Sequence, residues 1–368
     1  MNLVVPIFIT TLILFLSFTY SFVDINIPYL KSLYTGLYLN QRLVLSVVYS
    51  ILIIVLFGCF YFFTNYADRL KIQVNRIILF SILATIFAYP AALSFDIFNY
   101  MLTAKVAFVY QENPYIVYPI EFLNDPYLAF TRAANKTALY APFWILLSGI
   151  PYFLGFGNFI LTLFSFKAFI ALFYIGTAYL IRKLDKNAVL FFALNPLVII
   201  ESLVSGHNDI VMVFFTLLSF YLFFQKKYLF SYVAIIGSIL VKFATVFLAP
   251  VYVRMLKDIV IGKKINQEKA FRYCAVFMFM VFLITPIREE LYPWYAIWFI
   301  VFTAFFYKNK LLQNLVLFFS FGLMLRYIPY MATGNYFGPT PIIRNLLMIT
   351  PVFIFLVFTW LKKYSPLR

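Results

Sequence analysis

The sequence predicts an all-α, polytopic membrane protein of about twelve transmembrane helices, forming one unit over residues 1–368. Three observations carry that expectation. Hydrophobic residues fill 64% of the 368 positions and charged ones 11%, with a mean hydropathy of +0.94, more apolar side chain than a water-soluble interior of this size can hide. Apolar runs of spanning length recur along the whole chain, and Lys and Arg gather in the short segments between them.

The runs lie at 3–22, 43–64, 76–94, 158–181, 188–204, 208–224, 271–287, 294–307, 311–330 and 342–361, some near the lower bound of ~17 residues. Segment 3–22 has no Lys or Arg before it and no clear small-residue cleavage site, so it is expected to remain as an uncleaved helix. Segment 228–256 is longer than one helix needs and carries Lys242 at its centre, so it divides into 228–241 and 243–256 with Lys242 at the hairpin tip. Cys59 and Cys274 lie in apolar segments far apart and read as packing residues.

The net charge of +16 sits mostly in short loops, which argues against a nucleic-acid partner and for the positive-inside rule. The clusters Arg69/Lys71/Arg76, Arg182/Lys183/Lys186, Lys226/Lys227, Lys257 to Arg272, Lys308/Lys310 and Lys362/Lys363 all face the cytoplasm if Phe143 to Phe156 does not cross. That stretch is short and interrupted by Pro142, Pro151, Gly155 and Gly157, and is therefore placed as a shallow interfacial segment. Residues 94–157 become an external loop with juxtamembrane helices inside it. On this topology Asp96, Glu201, His207, Asp209, Lys242, Arg288, Glu289, Glu290, Arg326 and Arg344 gather at or near the outer face. Lys167 is the exception, roughly a dozen ångströms deep at ~1.5 Å per residue from Asn158.

Several of these groups form patterns with chemical content. A helix from Asp96 to about Tyr110 puts Asp96, Asn99, Tyr100 and Thr103 on one stripe, with Asp96 as its cap and the stripe turned toward water. Asn113-Pro114-Tyr115 ends that stripe as a rigid turn, and Tyr140-Ala141-Pro142 reads as an interfacial anchor. Asn195-Pro196-Leu197-Val198-Ile199-Ile200-Glu201 followed by Ser205-Gly206-His207-Asn208-Asp209 puts the lone histidine in a tight turn between two helices. Asn208 or Asp209 caps the second helix there, with substrate contact as an added role, and one His with one Asp is too few for a metal site. Lys242 and Arg288 are cations suited to a phosphate, Lys242 with snorkelling as its alternative; Trp294 and Tyr295 are either interfacial belt residues or a stacking face for a sugar ring. No P-loop, GxGxxG, HExxH, CxxC or DxD motif is present.

Taken together, FDIFNYMLTAKVAFVYQENPY, ALYAPFW, ALNPLVIIESLVSGHND, VKFATVFLAP and LYPWYAIW resemble the polyprenol-phosphate-mannose-dependent mannosyltransferases of the GT-C superfamily over roughly residues 90–300. The NPLxxxE…GHND run is the most specific part. This chain has Tyr140-Ala141-Pro142 where the family often has Tyr-Gly-Pro. The resemblance implies an inverting glycosyltransferase of a multi-pass plasma-membrane protein, moving mannose from a polyprenyl-phosphate donor to a glycan or glycolipid acceptor on the extracytoplasmic face. It places the loop's acidic residue on Asp96 as catalytic base. Asn99, Tyr100, Asn113, Tyr115, Tyr140, Glu201, His207, Asn208, Asp209, Lys242, Arg288, Trp294 and Tyr295 are the expected substrate contacts. The reading requires no cofactor, leaves a divalent metal open, and counts membrane lipid among the partners. The rival is a transporter or lipid flippase, which expects midplane ionisable groups and an internal repeat; Lys167 alone meets that description.

The charge pattern generates a direct test. Cysteines introduced at Asn124 and Asn335 are expected to react with an impermeant thiol reagent applied outside, and one at Gln267 is not; labelling at Gln267 alone overturns the orientation.

Overall fold

Backbone amides have no partner in lipid, so apolar runs of this length must satisfy their hydrogen bonds internally and fold as helices. The computed structural model describes residues 3–27, 37, 39–70, 73–287 and 289–364, and the described chain is helical with no β-strand. Lys71 and Arg288 lie outside the described residues.

Among the described residues six helices are long and apolar enough to cross a membrane: Val4–Phe22, Arg42–Tyr66, Phe159–Leu184, Gln267–Ile287, Lys310–Thr333 and Thr340–Lys362. Pro196–Val204 and Asp209–Phe224 meet at 114° and make a seventh if they are one broken span. Val74–Thr85, Pro142–Phe153, Tyr228–Val241 and Pro293–Phe306 are apolar but shorter. The expected dozen crossings therefore resolve into six or seven full-length spans with shorter helices between them. Local chemistry accounts for the shortening. Asn195-Pro196 divides the 188–204 run into Ala188–Ala193 and Pro196–Ile199, because Pro196 has no amide to donate and Asn195 caps the second piece by accepting from the Leu197 amide at 3.0 Å. Lys242 takes an extended conformation (φ −155°, ψ 125°) and separates Tyr228–Val241 from a 3₁₀ turn, Phe243–Leu248. The helix that follows, Ala249–Val260, carries Arg254, Lys257 and Asp258, so the expected second hairpin arm is part turn and part amphipathic helix.

Small and hydroxylated residues set how closely the helices approach, as they must where lipid supplies no hydrophobic drive between them. Asp209–Phe224 and Tyr228–Val241 pack as a hairpin whose seam holds Thr216 against Ser238 at 2.7 Å and Ser219 against the Ser231 carbonyl at 2.6 Å. Helix Lys310–Leu325 meets Thr340–Tyr364 at Gly322, where an added Cβ would sit 2.0 Å from the Met348 carbonyl oxygen.

Phe159–Leu184 links the two ends of the molecule over about 39 Å at 1.5 Å per residue. Its first residue stacks on Phe130 of the loop at 4.0 Å, and its last turn carries Arg182 and Lys183. Between them Lys167, 1% exposed, donates to the carbonyls of Thr85 (3.4 Å), Val204 (3.1 Å) and Ala88. One lysine side chain thus ties the end of Val74–Thr85 to the end of the 200–204 turn.

The loop beyond residue 108 folds back on helix Asp96–Phe108. Lys105 pairs with Asp125 at 2.9 Å, Tyr110 donates to the same carboxylate at 2.7 Å, and Asn99 accepts from Thr131 Oγ1 and, at 3.3 Å, from the Arg132 amide. The Asn99, Tyr100 and Thr103 stripe is consequently buried under the loop, where sequence periodicity turned it toward water.

Gly322→Ala is expected to force two helices apart and destabilise the fold by ~1–3 kcal/mol, seen as a lower melting temperature of the detergent-solubilised protein. An unchanged melting temperature shows that this crossing contributes nothing.

Candidate functional site

The site forms where two polar stretches of sequence meet at the loop end of the bundle. Helix Asp96–Phe108 begins at Asp96 itself, with Phe95 in the cap position and Ser94 Oγ accepting from the Asp96 amide at 3.2 Å. Asp96 is thus the first helical residue rather than the cap, and its carboxylate is released from capping while still sitting at the positive end of the helix.

The second stretch is a reversal. Ile200–Val204 winds as a π turn, and Gly206 follows in the left-handed region at φ +74°, where a Cβ would meet Ile97 Cδ1 at 2.9 Å. This turn lets the His207 amide donate to the Glu201 carbonyl at 3.0 Å and folds the imidazole back between two acids. Nδ1 lies 3.4 Å from Asp96 Oδ2, and Nε2 lies 3.2 Å from Glu201 Oε2. Tyr327, from the last third of the chain, donates to the other Glu201 oxygen at 2.9 Å.

Burial alone would lower the pKa of His207, but the flanking Asp96 and Glu201 carboxylates outweigh it and raise the value to about 9, so the ring is a cation at neutral pH. Burial likewise pushes Asp96 up, yet the His207 contact together with the nearby Lys242 charge holds it below its ordinary 3.8. Asp96 is therefore an ionised, oriented carboxylate.

Aromatic rings fix the histidine from the side. The His207 ring stacks on Trp294 at 4.0 Å, Trp294 stacks on Tyr292 at 4.4 Å, and the Arg326 guanidinium lies over Tyr292 at 5.1 Å. Both faces of Trp294 are thus taken, so it supports His207 and leaves no face for a sugar. Arg326 and Arg344 both reach Glu290, at 2.6 and 2.7 Å.

A second ion pair stands beside the first. Lys242 contacts both Asp209 oxygens at 2.8 and 2.9 Å, and Trp298 Nε1 donates to Asp209 at 2.5 Å. Lys242 also lies over the ring of Tyr295 at 4.8 Å, while the Tyr295 hydroxyl donates to Glu289. Asn208 occupies the cap position of Asp209–Phe224 without capping it, and its side-chain oxygen instead meets the Tyr100 hydroxyl at 3.3 Å. Tyr140 and Trp144 stand edge-on to Tyr100 at 4.6 and 5.0 Å.

Of the residues expected at the site, Asp96, Asn99, Tyr100, Tyr140, Glu201, His207, Asn208, Asp209, Lys242, Trp294 and Tyr295 therefore belong to one connected network. Glu201, His207, Asn208 and Asp209 are 0% exposed, and their polar atoms face protein rather than an open surface. Asn113 stands apart from it, and Tyr115 touches only its edge at the Tyr140 backbone. Asn113 Oδ1 accepts from the Tyr115 amide at 3.0 Å in a local turn, and the exposed Tyr115 donates to the Tyr140 carbonyl at 2.8 Å. Ala141 sits at φ −73°, ψ 159°, ordinary extended geometry that needs no glycine. Tyr327 is not singled out by the sequence, and Trp298 stands there only within LYPWYAIW with no role of its own, because an aromatic in an apolar run carries no local signal of what its polar atom will reach.

Several buried polar atoms here have no hydrogen-bond partner among the described residues, including Tyr140 Oη, Trp144 Nε1, Asn208 Nδ2, Ser202 Oγ and Ser205 Oγ. Three of these surround Tyr100, so hydrogen-bonding capacity suited to a hydroxyl-rich ligand is concentrated beside Asp96. Among the described residues no group of three or more His, Cys, Asp or Glu side chains has the arrangement of a metal site.

No curated protein and no solved structure matches the chain significantly. The family model described as alpha-(1->6)-mannopyranosyltransferase, N-terminal domain, matches residues 4–258, a span that takes in Asp96, Glu201, His207, Asp209 and Lys242. Covering well over half of the sequence, that match places the chain in this family, and the protein is an integral-membrane mannosyltransferase.

Proposed function

We propose that the chain transfers a mannosyl unit from a polyprenyl-phosphate donor to a hydroxyl of a glycan or glycolipid acceptor on the extracytoplasmic face of the plasma membrane, with Asp96 as general base. The α-1,6 linkage is taken from the family's description. The observation that carries the assignment is a difference in access. Among the carboxylates that flank His207 and Lys242, the Asp96 side chain is 31% exposed whereas Glu201 and Asp209 are 0% exposed. Asp96 is the one of the three that an acceptor can touch.

In the proposed step the acceptor hydroxyl gives its proton to Asp96 as its oxygen bonds to the anomeric carbon. The bond from that carbon to the phosphate oxygen breaks, and the lipid phosphate leaves with the electron pair. A preorganised cation near the departing phosphate lowers the barrier. What supports Lys242 in this role is that it spends two of its three N–H donors on Asp209 and that its side chain is 23% exposed. His207 acts through Asp96 as a positioning residue, holding the carboxylate ionised. Glu201 and Tyr327 in turn hold His207. The outward orientation follows from the Lys and Arg distribution, and an outward site has no access to cytosolic nucleotide sugars, which favours a lipid-linked donor.

Asp96→Asn keeps the size of the side chain and removes the base, so transfer should fall by ~10²–10⁴-fold while melting temperature stays close to the parent. A folded Asp96→Asn protein with near-parental transfer sends the search for the base elsewhere.

The electrostatics generate a pH test. Stabilisation from His207, whose pKa is raised from 6.5 to about 9, is complete below 6.5 and lost as pH rises through 9. That from Asp96, lowered from 3.8, is present above 3.8 and lost as pH falls through the depressed value. In His207→Gln burial still raises Asp96 and its principal cation is gone, so the acid limb of the kcat/KM profile should move to higher pH. An acid limb that stays in place removes His207 from the mechanism.

A further inference from the structure

At the end of the bundle opposite Asp96 lies a cavity of about 1000 Å³. Five cations line it: Arg76 from the start of Val74–Thr85, Arg182 from the end of Phe159–Leu184, Lys186 from the turn after it, and Lys308 and Lys310 from the 307–310 connection. The described lining residues include no carboxylate. The positive-inside rule explains why such residues occur in inner loops, but it does not require that charges from separate loops converge on one concavity. Convergence of like charges is unfavourable unless an anion offsets it.

The walls are held in place independently of any ligand. Lys310 donates to the Thr64 carbonyl at 2.8 Å, Asn187 donates to the Tyr307 hydroxyl at 3.2 Å, and Tyr307 stacks on Phe191 at 5.7 Å. Arg76, Arg182, Lys186 and Lys308 make no ion pair or hydrogen bond through their side chains among the described residues. Preorganised walls with four unspent cations differ from the outer end, where Lys242, Arg326 and Arg344 are each paired with a carboxylate.

We propose that this cavity is a binding site for a phosphate-bearing anion, either the headgroup of an anionic lipid or a soluble phosphate compound. Two guanidinium forks flanked by lysines match phosphate oxygens in charge and in geometry. The site is separate from the transfer site and does not depend on the identity of the sugar donor.

The test uses the full chain in phosphatidylcholine nanodiscs, titrated separately with dihexanoyl phosphatidic acid and with inorganic pyrophosphate. At least one of the two should bind saturably. Arg76→Gln/Arg182→Gln should weaken that binding by about tenfold or more, and Lys263→Gln/Lys264→Gln, which removes the same charge from another loop, should leave it within about twofold. Binding of phosphatidic acid alone identifies a lipid headgroup as the source, and binding of pyrophosphate a soluble phosphate. Saturable binding of neither probe, or equal weakening in both double variants, overturns the proposal.

Discussion

A histidine with no exposure, wedged between the carboxylates of Asp96 and Glu201, is the contact on which the loop end of the molecule depends, because Glu201 is fully buried and two acids facing each other across one ring need a cation between them. The surrounding structure works to keep that ring in place. Gly206 allows the reversal that points it inward, Trp294 stacks against its side with Tyr292 beyond, and Tyr327 fixes the acid behind it. Lys167 anchors the turn from below by bonding the carbonyl of Val204 together with those of Thr85 and Ala88. Of the carboxylates Asp96, Glu201 and Asp209 only Asp96 retains access to solvent, so a network built mainly for burial ends in one usable carboxylate.

Charge is handled differently at the two ends. At the loop end Lys242 is paired with Asp209, and Arg326 and Arg344 share Glu290. Removing one member of such a pair strands the other, so substitutions there act on folding and on chemistry together. Asp96 is more separable, because its partial exposure lets water solvate what replaces it. At the opposite end the cations of the large cavity are exposed and, among the described residues, none has a carboxylate partner, an arrangement stable because water or an anion can reach them.

The aromatic content of 22% also divides by role. Rings expected to present a face to a sugar are used instead as internal struts: Trp294 is enclosed between His207 and Tyr292, and Tyr295 packs on Trp298 at 4.5 Å beneath Lys242. Stacked rings satisfy a cation without adding a formal charge, which suits a site already holding several carboxylates. The polar edges left without partners, on Tyr140, Trp144 and Asn208, are the groups best placed to meet hydroxyls.

Membrane class, the helical fold and the gathering of Asp96, Glu201, His207, Asp209 and Lys242 were legible in the sequence by itself, because hydropathy and the Lys/Arg pattern are local quantities that assign each segment a depth and a side. The GHND run and the acidic residue opening the polar loop were legible through their resemblance to a known family rather than through hydropathy. Tertiary structure alone decided how the gathered residues pair. Tyr100 meets Asn208 across 108 residues, Tyr327 meets Glu201 across 126, and no periodicity reports contacts over such separations. It also decided that Asp96 stands one position inside its helix, that the stripe behind it is covered by the 109–141 segment, and that among the described residues six or seven helices reach full spanning length with shorter apolar helices beside them. Each of these depends on competition for the same buried space by distant side chains, and that competition is settled only when the whole chain has packed.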